Sequence, residues 1–296
     1  MPDFRAIRYE IDDHIAHVIL DRPEVRNAQS RVLLEEMDAA FTLAAEDDSV
    51  GVIILSGAGE HFSAGHDLGS ADERADASER PYQAGTRGRY ARSRHLFVDF
   101  QMRWRNLPKP TIAVVQGYCI FGGWMIASAM DLIFAAPDAM FLGSNFQWFS
   151  IPWDMHPRKA KELLFESRFI NGKEALDLQL VNRVYPADQI MDEAVSYARR
   201  IATNDPFQLQ MIKLAVNQAQ DDQGFSAHIN AAHVMHVLSA TGETDPDFAL
   251  ERAGKRRPMV QRALENYAIH QDADRGSSGA DNAQDSGKDA DSGDAD

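Results

Sequence analysis

Two short glycine-containing turns are the parts of the chain whose residue types best suit chemistry. His61–Leu68 (HFSAGHDL) follows the apolar run Val52–Ser56, and Gly117–Gly123 (GYCIFGG) follows Thr111–Val115. Small residues at the junction of a strand and a helix let backbone N–H groups approach an anionic oxygen. Two such donors that meet at one point form an oxyanion hole, which stabilises charge as it develops on a carbonyl. The sequence therefore predicts chemistry at a carbonyl group.

Each turn also has an ordinary structural explanation, because a Gly-Gly pair between a strand and a helix more often serves packing or capping. Two more specific motifs are absent. The Gly57–Gly59 run is followed by Phe62 where a dinucleotide-binding fingerprint has its third glycine. Ser63 has His61 two residues before it, where a nucleophile elbow has glycine. A dinucleotide-dependent oxidoreductase and a serine hydrolase therefore both lose support.

Composition narrows the class of protein. The 296 residues carry a formal net charge of −15, which argues against binding of nucleic acid, because that function needs a basic surface. The single cysteine, Cys119, excludes an intrachain disulfide and fits a reducing compartment. The N-terminus resembles no secretory signal, and the most apolar stretch, residues 112–136, is interrupted by glycine and polar residues. A cytoplasmic protein without a membrane span is predicted.

The pattern along the chain alternates between strands and helices and then becomes helical. Alternating apolar residues predict a hairpin over residues 7–20 with its turn at 12–13, and Ser30 is placed to cap an amphipathic helix. The polar, arginine-rich residues 70–106 are predicted to be a mobile loop in their first half and a helix in their second. Their arginines are interpreted as a solvated face in preference to a phosphate contact. With helices over residues 190–264, the order predicts an α/β core followed by a helical unit.

Ordered sequence blocks resemble those of the enoyl-CoA hydratase/isomerase family, also called the crotonase superfamily. The likeness covers roughly residues 5 to 260 and rests on Asp21–Pro23 with Asn27–Ala28, Phe62–Leu68, Lys109–Ala113, Gly117–Gly123 and Lys255–Pro258. This resemblance implies an α/β fold, a spiral of β-β-α units, with C-terminal helices that build trimers, often paired into hexamers. The expected division is a spiral core at 1–190 and a helical oligomerisation region at 191–270. The acidic tail at 271–296 is predicted to be disordered.

The resemblance implies an acyl-coenzyme A thioester as the substrate, with coenzyme A as part of it and with no metal or separate cofactor. The backbone N–H groups of His66 and Gly122 would hold the thioester carbonyl oxygen. The resemblance also implies contacts with coenzyme A for Val25, Arg26, Ala28, Ala64, Asp67 and Lys255. For Lys255 the competing explanation is a solvated run of charges at a helix end. For the Asp67 side chain a structural hydrogen-bonding role is favoured.

The chain departs from the family at the two glutamates that family hydratases use. Met125 and Asn145 stand at these positions, and neither side chain can transfer a proton usefully. This difference weakens the predictions of ordinary hydration and of isomerisation. His66 is the best remaining acid–base side chain, because imidazole titrates near neutrality. Asp154 is a second candidate base, although capping of a helix that begins near Pro157 is the preferred interpretation.

The predicted activity is a variant reaction that depends on the oxyanion hole: hydrolytic C–C cleavage, decarboxylation or isomerisation in lipid or carbon-source breakdown. The aromatic residues 145–149 and Trp153 are interpreted either as ordinary core or as a flat pocket for a cyclic or aromatic-derived acyl group. The alternative function is a catalytically silent subunit that binds acyl-CoA or serves assembly, since such a history would also remove both glutamates.

Overall fold

The strands of this protein form two sheets. The computed structural model describes residues 2–144, 146–241 and 258–285. Its strands are β1 (Ile7–Asp12), β2 (Ile15–Leu20), β3 (Val52–Gly57), β4 (Thr111–Val115), β5 (Tyr118–Ile120), β6 (Leu132–Ala135), β7 (Met140–Leu142), β8 (Ile170–Asn171) and β9 (Arg183–Val184).

Helices separate the strands and then form the C-terminal part of the chain. A 3-10 turn spans Pro23–Val25, and a π-helical turn spans His95–Asp99. The α-helices are α1 (Arg31–Glu46), α2 (Ala71–Glu79), α3 (Gly85–Arg94), α4 (Phe100–Arg105), α5 (Gly122–Ser128), α6 (Ile151–Asp154), α7 (Pro157–Glu166), α8 (Gly172–Asp177), α9 (Ile190–Ala202), α10 (Pro206–Asp222), α11 (Phe225–Thr241) and α12 (Pro258–Asp285).

The larger sheet has six strands in the order β1-β2-β3-β4-β6-β9, and the smaller sheet has the order β5-β7-β8. β1 and β2 are antiparallel, whereas the pairs from β2 to β9 are parallel. Between β4 and β7 each strand is followed by one in the other sheet: β4 leads to β5 and then to α5, and β6 leads to β7. An isolated bridge between Ser63 and Cys119 adds the segment after β3 to the smaller sheet. This repetition confirms the predicted α/β spiral.

Both faces of the larger sheet are buried, which explains why β3 is apolar throughout. Ile53 and Leu55 belong to the main core with α1, whereas Val52 and Ile54 pack on the other face with α9. Side chains of a strand alternate between faces, so a strand covered on both sides reads as a continuous apolar run. The consequence for the site is that the carboxyl ends of β3 and β4 are fixed before their glycine turns begin.

The predicted hairpin and the predicted cap of α1 are confirmed. The hairpin turn is Asp13-His14, one residue later than predicted, and both residues have positive φ as a tight hairpin turn requires. The Ser30 hydroxyl accepts a hydrogen bond from the backbone N–H of Leu33. The prediction of a loop in the first half of residues 70–106 is wrong, because α2 and α3 occupy most of it.

The C-terminal helices lie in the predicted oligomerisation region and in part of the predicted disordered tail. α9 begins at the predicted boundary and shares the second core with the sheet, through Ile190, Ala194 and Ala198. α12 continues to Asp285, so it includes part of the tail expected to be disordered. Residues 286–296 lie outside the described part of the chain. The three-part division stays a prediction.

Residues 2–144, 146–241 and 258–285 contain neither a candidate membrane span nor a candidate metal cluster. None of the described helices combines the length and the apolar character needed to cross a bilayer. The same ranges contain no cluster of three His, Cys, Asp or Glu side chains arranged to hold a metal ion.

Asp131 connects the start of β4 to α10 and generates a stability prediction. Its carboxylate accepts hydrogen bonds from the backbone N–H and the hydroxyl of Thr111 and from the Lys213 ammonium, whose side chain is 8% exposed. We expect Asp131→Ala to lower the free energy of unfolding by about 2–3 kcal/mol, because the largely buried Lys213 ammonium then loses its charged partner and keeps only the Lys109 carbonyl. Urea denaturation measures this, and adding Lys213→Met should restore part of the loss. Equal stability of the single and double variants would contradict the prediction.

Candidate active site

The candidate site begins at residues 63–66, which lie between two other backbone segments. On one side the N–H of Ala64 donates to the Arg26 carbonyl, and the N–H of Gln29 donates to the Gly65 carbonyl. On the other side Ser63 exchanges hydrogen bonds with β5. The turn after β3 is therefore held in place as a short additional strand.

Gly65 and Gly122 allow these segments to touch. Gly65 has a φ of +87°, and a Cβ there would lie 2.6 Å from the Ile120 carbonyl oxygen and 3.2 Å from the Gly122 nitrogen. A Cβ on Gly122 would lie 2.5 Å from both Gln29 Oε1 and His66 Nδ1. A side chain at Gly65 or at Gly122 would overlap these neighbouring atoms, so the close approach of the two turns requires glycine at both positions.

The backbone N–H groups of His66 and Gly122 are available as donors. Within the described ranges, neither group donates to a protein acceptor. Gln29 bonds the carbonyl before His66 and the N–H after it, a pattern that turns the His66 N–H away from Gln29. Gly122 is the first residue of α5, so its N–H has no acceptor within the helix. Two amides of contacting segments can therefore bind an external oxygen.

The residue before Gly122 is strained. Phe121 has φ 47° and ψ −102°, a region that a non-glycine residue rarely adopts. Its N–H donates to the Leu142 carbonyl. Its side chain packs, with Tyr118 and Met140, against a third hydrophobic cluster that includes Leu142 and Phe169. Strain of this kind typically amounts to about 1–3 kcal/mol and is concentrated at functional sites.

The His66 side chain lies beside these amides but is uncharged. Its ring stacks on Phe97 with centroids 4.1 Å apart, and Nε2 is 3.2 Å from Gln147 Oε1. Burial, together with the nearby charge of Arg92, lowers the pKa of His66 to about 4. The expectation of a histidine that titrates near neutrality is therefore wrong, because the surrounding protein keeps the imidazole neutral at pH 7.

Asp154 is a half-buried acid whose raised pKa suits catalysis. Its carboxylate accepts hydrogen bonds from the Ser150 hydroxyl at 2.7 Å and from the Trp124 indole, in the first turn of α5, at 3.4 Å. Burial raises the pKa of Asp154 to about 6 against the opposing effect of these two bonds. The preferred capping interpretation is wrong: His156 caps α7 by accepting from the N–H of Arg158.

The two hydratase positions contribute no acid in the described structure. Met125 is fully buried in α5. Asn145 lies outside the described residues, so its predicted placement stays a prediction.

Most of the residues implied for coenzyme A form one patch. Arg26 is exposed and Val25, Ala28 and Ala64 are half-buried, along the paired segments described above. Lys255 lies outside the described residues.

Asp67 stabilises the end of the turn that follows β3. Its carboxylate accepts hydrogen bonds from the backbone N–H groups of Gly69 and Ser70 and forms an ion pair with Arg22, both side chains being almost fully buried. Burial acts to raise the pKa of Asp67, but the bonds from Ser70, Gly69 and Arg22 outweigh it and lower the pKa. A carboxylate used in this way is structural, as favoured from the sequence.

The α2–α3 region carries paired arginines. Arg31 pairs with Asp76, Arg92 pairs with Glu73, and both guanidinium groups lie over the Tyr82 ring at 4.0 and 4.1 Å. These contacts hold α2 and α3 against α1, so Arg92, one of the arginines interpreted as a solvated face, is structural.

The aromatic residues after β7 are mainly core. Trp148 is fully buried and packs on Phe225 of α11, as does Trp153, whose indole N–H donates to His228. Phe149 also contacts His228, so this cluster joins α6 to α11. Two clefts of about 450 and 370 Å³ lie elsewhere, one between α1 and α4 and one at the ends of β3 and β4.

Comparisons with known proteins agree with this architecture. The family profile for enoyl-CoA hydratase/isomerase matches residues 10–245. A Mycobacterium tuberculosis protein named for enoyl-CoA hydratase, EchA13, is 42% identical over 258 residues, which cover 80% of this chain and 81% of that protein. The crystal structure of a Mycobacterium smegmatis protein named for the same activity has a TM-score of 0.73 at 40% identity, covering 79% of this chain and 97% of that chain.

A third relative extends the match. An enoyl-CoA hydratase/isomerase from Xanthobacter autotrophicus Py2 has a TM-score of 0.74 at 33% identity, covering 88% of this chain and 96% of that chain. The chain therefore belongs to the enoyl-CoA hydratase/isomerase, or crotonase, family, and it has the crotonase fold.

Sequence reasoning missed the residues that surround His66. Gln29, Phe97 and Gln147 come from three distant segments, and only Phe97 lay on a helical pattern that could be read from the sequence. The glycine spacing gave no information about them.

The glycine contact generates a prediction with a matched control. Gly65 and Gly85 both have positive φ, but a Cβ on Gly85 would meet no atom within 4 Å. We expect Gly85→Ala to lower the free energy of unfolding by about 1–2 kcal/mol through backbone strain alone, and Gly65→Ala to lower it by about 2–5 kcal/mol through strain plus steric overlap. Chemical denaturation of both variants decides, and an equal loss in the two would refute the close contact.

Proposed function

We propose that this protein binds acyl-CoA thioesters and stabilises the negative charge that develops on their carbonyl oxygen. The observation that supports this proposal is the pair of acceptor-free N–H groups on His66 and Gly122, in segments that touch through glycine. An enolate or a tetrahedral intermediate places its charge on that oxygen. Each donor of such a pair is typically worth about 2.7–4 kcal/mol of transition-state stabilisation.

Coenzyme A lies, in this proposal, along the patch of Val25, Arg26, Ala28 and Ala64. The exposed guanidinium of Arg26 suits a phosphate-bearing ligand. The Asp67 carboxylate positions this patch through the turn it anchors, and Lys255 adds a further cation for the phosphates. Cytoplasmic lipid or carbon-source breakdown is the proposed setting, and the buried Cys119 thiol is compatible with a reducing compartment.

Asp154 is the proposed acid–base group, because Met125 and Asn145 replace the hydratase glutamates. A pKa of about 6 leaves the carboxylate ionised at pH 7 yet basic enough to remove a proton from the carbon next to the thioester. The carboxylate takes the proton from C2, the C–H electron pair forms the enolate, and the charge rests between the two N–H groups. Decarboxylation, isomerisation and hydrolytic C–C cleavage all use that stabilised oxyanion.

Proton exchange at C2 tests the shared step without assuming the overall reaction. In D2O, the Asp154 carboxyl group that has taken a proton from C2 of butyryl-CoA exchanges this proton for deuterium from the solvent. The carboxyl group then returns deuterium to C2 of the enolate. We expect the protein to incorporate deuterium above the buffer rate, measured by proton NMR. We expect Asp154→Asn to lower the rate by about 100-fold or more, and Asp138→Asn, at an exposed position, to leave it unchanged.

The same variant has a pH signature. The folded state raises the pKa of Asp154 from 3.8 to about 6, so it disfavours the ionised form, and this penalty on stability grows as pH rises from about 4 to 6. At pH 7.5 Asp154→Asn should therefore be more stable than the wild type, by at most about 3 kcal/mol. Wild-type exchange should rise through pH 6 and level off above it. A rate independent of pH between 5 and 7 would exclude Asp154 as the base.

The second candidate function is a catalytically silent acyl-CoA-binding or assembly subunit. The observation that favours it is the fully buried Met125 in place of an acid. Tight binding of butyryl-CoA without C2 exchange, and without turnover of crotonyl-CoA, would support this function over the enzymatic one.

Self-association is the proposed role of α10 and α11. None of the 17 residues of α10 is buried, even though several are large and apolar. Phe207, Ile212 and Leu214 are each more than half exposed. Val234, Met235 and Leu238 extend this apolar surface on α11. Contiguous apolar surface of this kind is typical of protein interfaces, so we propose a homotrimer or a hexamer made of two trimers.

Sedimentation measures the assembly. Leu238→Glu places a charge on the apolar surface and should shift the protein towards monomer, since an unpaired charge in an interface is strongly unfavourable. Ser239→Glu adds the same charge at the neighbouring exposed position and should shift it less. A wild-type protein that sediments as a monomer would refute the proposed assembly.

A further inference from the structure

Gln101 is a buried amide with no hydrogen-bond partner among the described residues. It lies in the first turn of α4, is fully buried, and neither Oε1 nor Nε2 makes a hydrogen bond. A buried amide in a protein core is normally paired, because each unsatisfied group destabilises the fold. Packing alone does not explain a glutamine here, since leucine or methionine would fill a similar volume without this penalty.

Its position on the helix connects Gln101 to the candidate active site. Phe97, about one turn earlier, stacks on the His66 ring at 4.1 Å. Arg105, one turn later, lies over Phe225, whose ring packs on Trp148. Gln101 therefore lies along the chain between a residue in contact with His66 and a residue in contact with the aromatic cluster. The contact of Phe97 with His66 is the observation that connects this helix to the proposed oxyanion donors.

The helix is distorted immediately before Gln101. Residues His95–Asp99 form a π-helical turn, a feature that occurs mostly as short interruptions at functional sites. Both amide atoms are shut off from solvent, so a ligand reaches them only when a neighbouring side chain moves. The π turn carries Phe97 and is the segment best placed to allow that movement.

Two uncharged polar atoms near Gly122 also lack partners among the described residues. These atoms are Gln29 Oε1 and His66 Nδ1, and His66 is neutral. The guanidinium of Arg92, whose charge helps to lower the pKa of His66, is paired with Glu73, although its Nε has no partner among the described residues. A carboxylate on the acyl chain would therefore have to compete with Glu73 for this cation where solvent is excluded, whereas a neutral oxygen needs only a hydrogen-bond donor.

We propose that Gln101 selects acyl groups that carry a neutral oxygen, a ketone or a hydroxyl, on the chain beyond the thioester. Nε2 donates to that oxygen, and Oε1 accepts from it when it is a hydroxyl. A wholly apolar chain leaves both amide atoms unpaired and is disfavoured for that reason. This inference rests on the proposed binding of acyl-CoA and adds the class of acyl group.

Isothermal titration with matched thioesters tests the assignment. The probes are hexanoyl-CoA and its derivatives with a ketone or a hydroxyl at C3, C4 or C5. We expect at least one derivative to bind the wild type about two- to tenfold more tightly than hexanoyl-CoA, the gain from one paired hydrogen bond. Gln101→Leu and Gln101→Met should abolish this preference while hexanoyl-CoA binds as well as before or more tightly.

A stability measurement separates recognition from a structural role. Gln101→Leu should raise the unfolding midpoint of the free protein, because it removes an unsatisfied amide. Gln116→Leu is the control: Gln116 donates to the carbonyls of Gly57 and Gly59, so its loss should lower the midpoint. A preference that survives both Gln101 variants, or a wild type that binds without preference, overturns this proposal alone. Failure of every thioester to bind overturns the proposed function as well.

Discussion

The candidate site depends on one steric constraint, the contact of two glycine turns. The turn after β3 carries its own N–H donor at His66 but can approach α5 only because Gly65 has no side chain and has positive φ. The turn after β5 brings Gly122 to the same place at the start of α5. Hydrogen bonds to Gln29 and to β5 fix the first turn on both sides. The proposed oxyanion hole would therefore be rigid before any ligand binds, which is the condition for electrostatic preorganisation.

Near this contact several polar side chains are neutral, and the charged side chains described above form ion pairs. His66 is held neutral by burial, and Gln29, Gln101 and Gln147 are amides. The Arg22–Asp67 pair stabilises the turn from beneath. The proposed donors at this contact are thus backbone dipoles, and the nearby cation of Arg92 is paired with Glu73. Asp154 is the exception, and its raised pKa is the expected consequence of placing a carboxylate there.

The sequence predicted the parts of the fold that local patterns determine. Alternation predicted β1 and β2, a serine cap predicted α1, and apolar runs predicted β3 and β4. The same reasoning failed for α2 and α3, because their residues are polar and their helices are held by tertiary ion pairs such as Arg31–Asp76 and Arg92–Glu73. It also chose the wrong cap for α7, since Asp154 and His156 are both suitable in sequence and only the tertiary fold decides between them.

The candidate site divides in the same way. The close approach of its two turns could be predicted, because glycine spacing records where two segments must approach closely, whereas the role of their N–H groups as donors stays a prediction. Its side chains could not, because the pKa of Asp154 depends on burial beside Trp124 and Ser150, and the state of Gln101 depends on a distorted helix that the sequence pattern does not show. An unpaired amide and a buried acid each lower stability and persist where they bring a compensating function. Residues that are unfavourable for the fold are therefore the best indicators of chemistry in this chain, and they become visible only when the core is assembled.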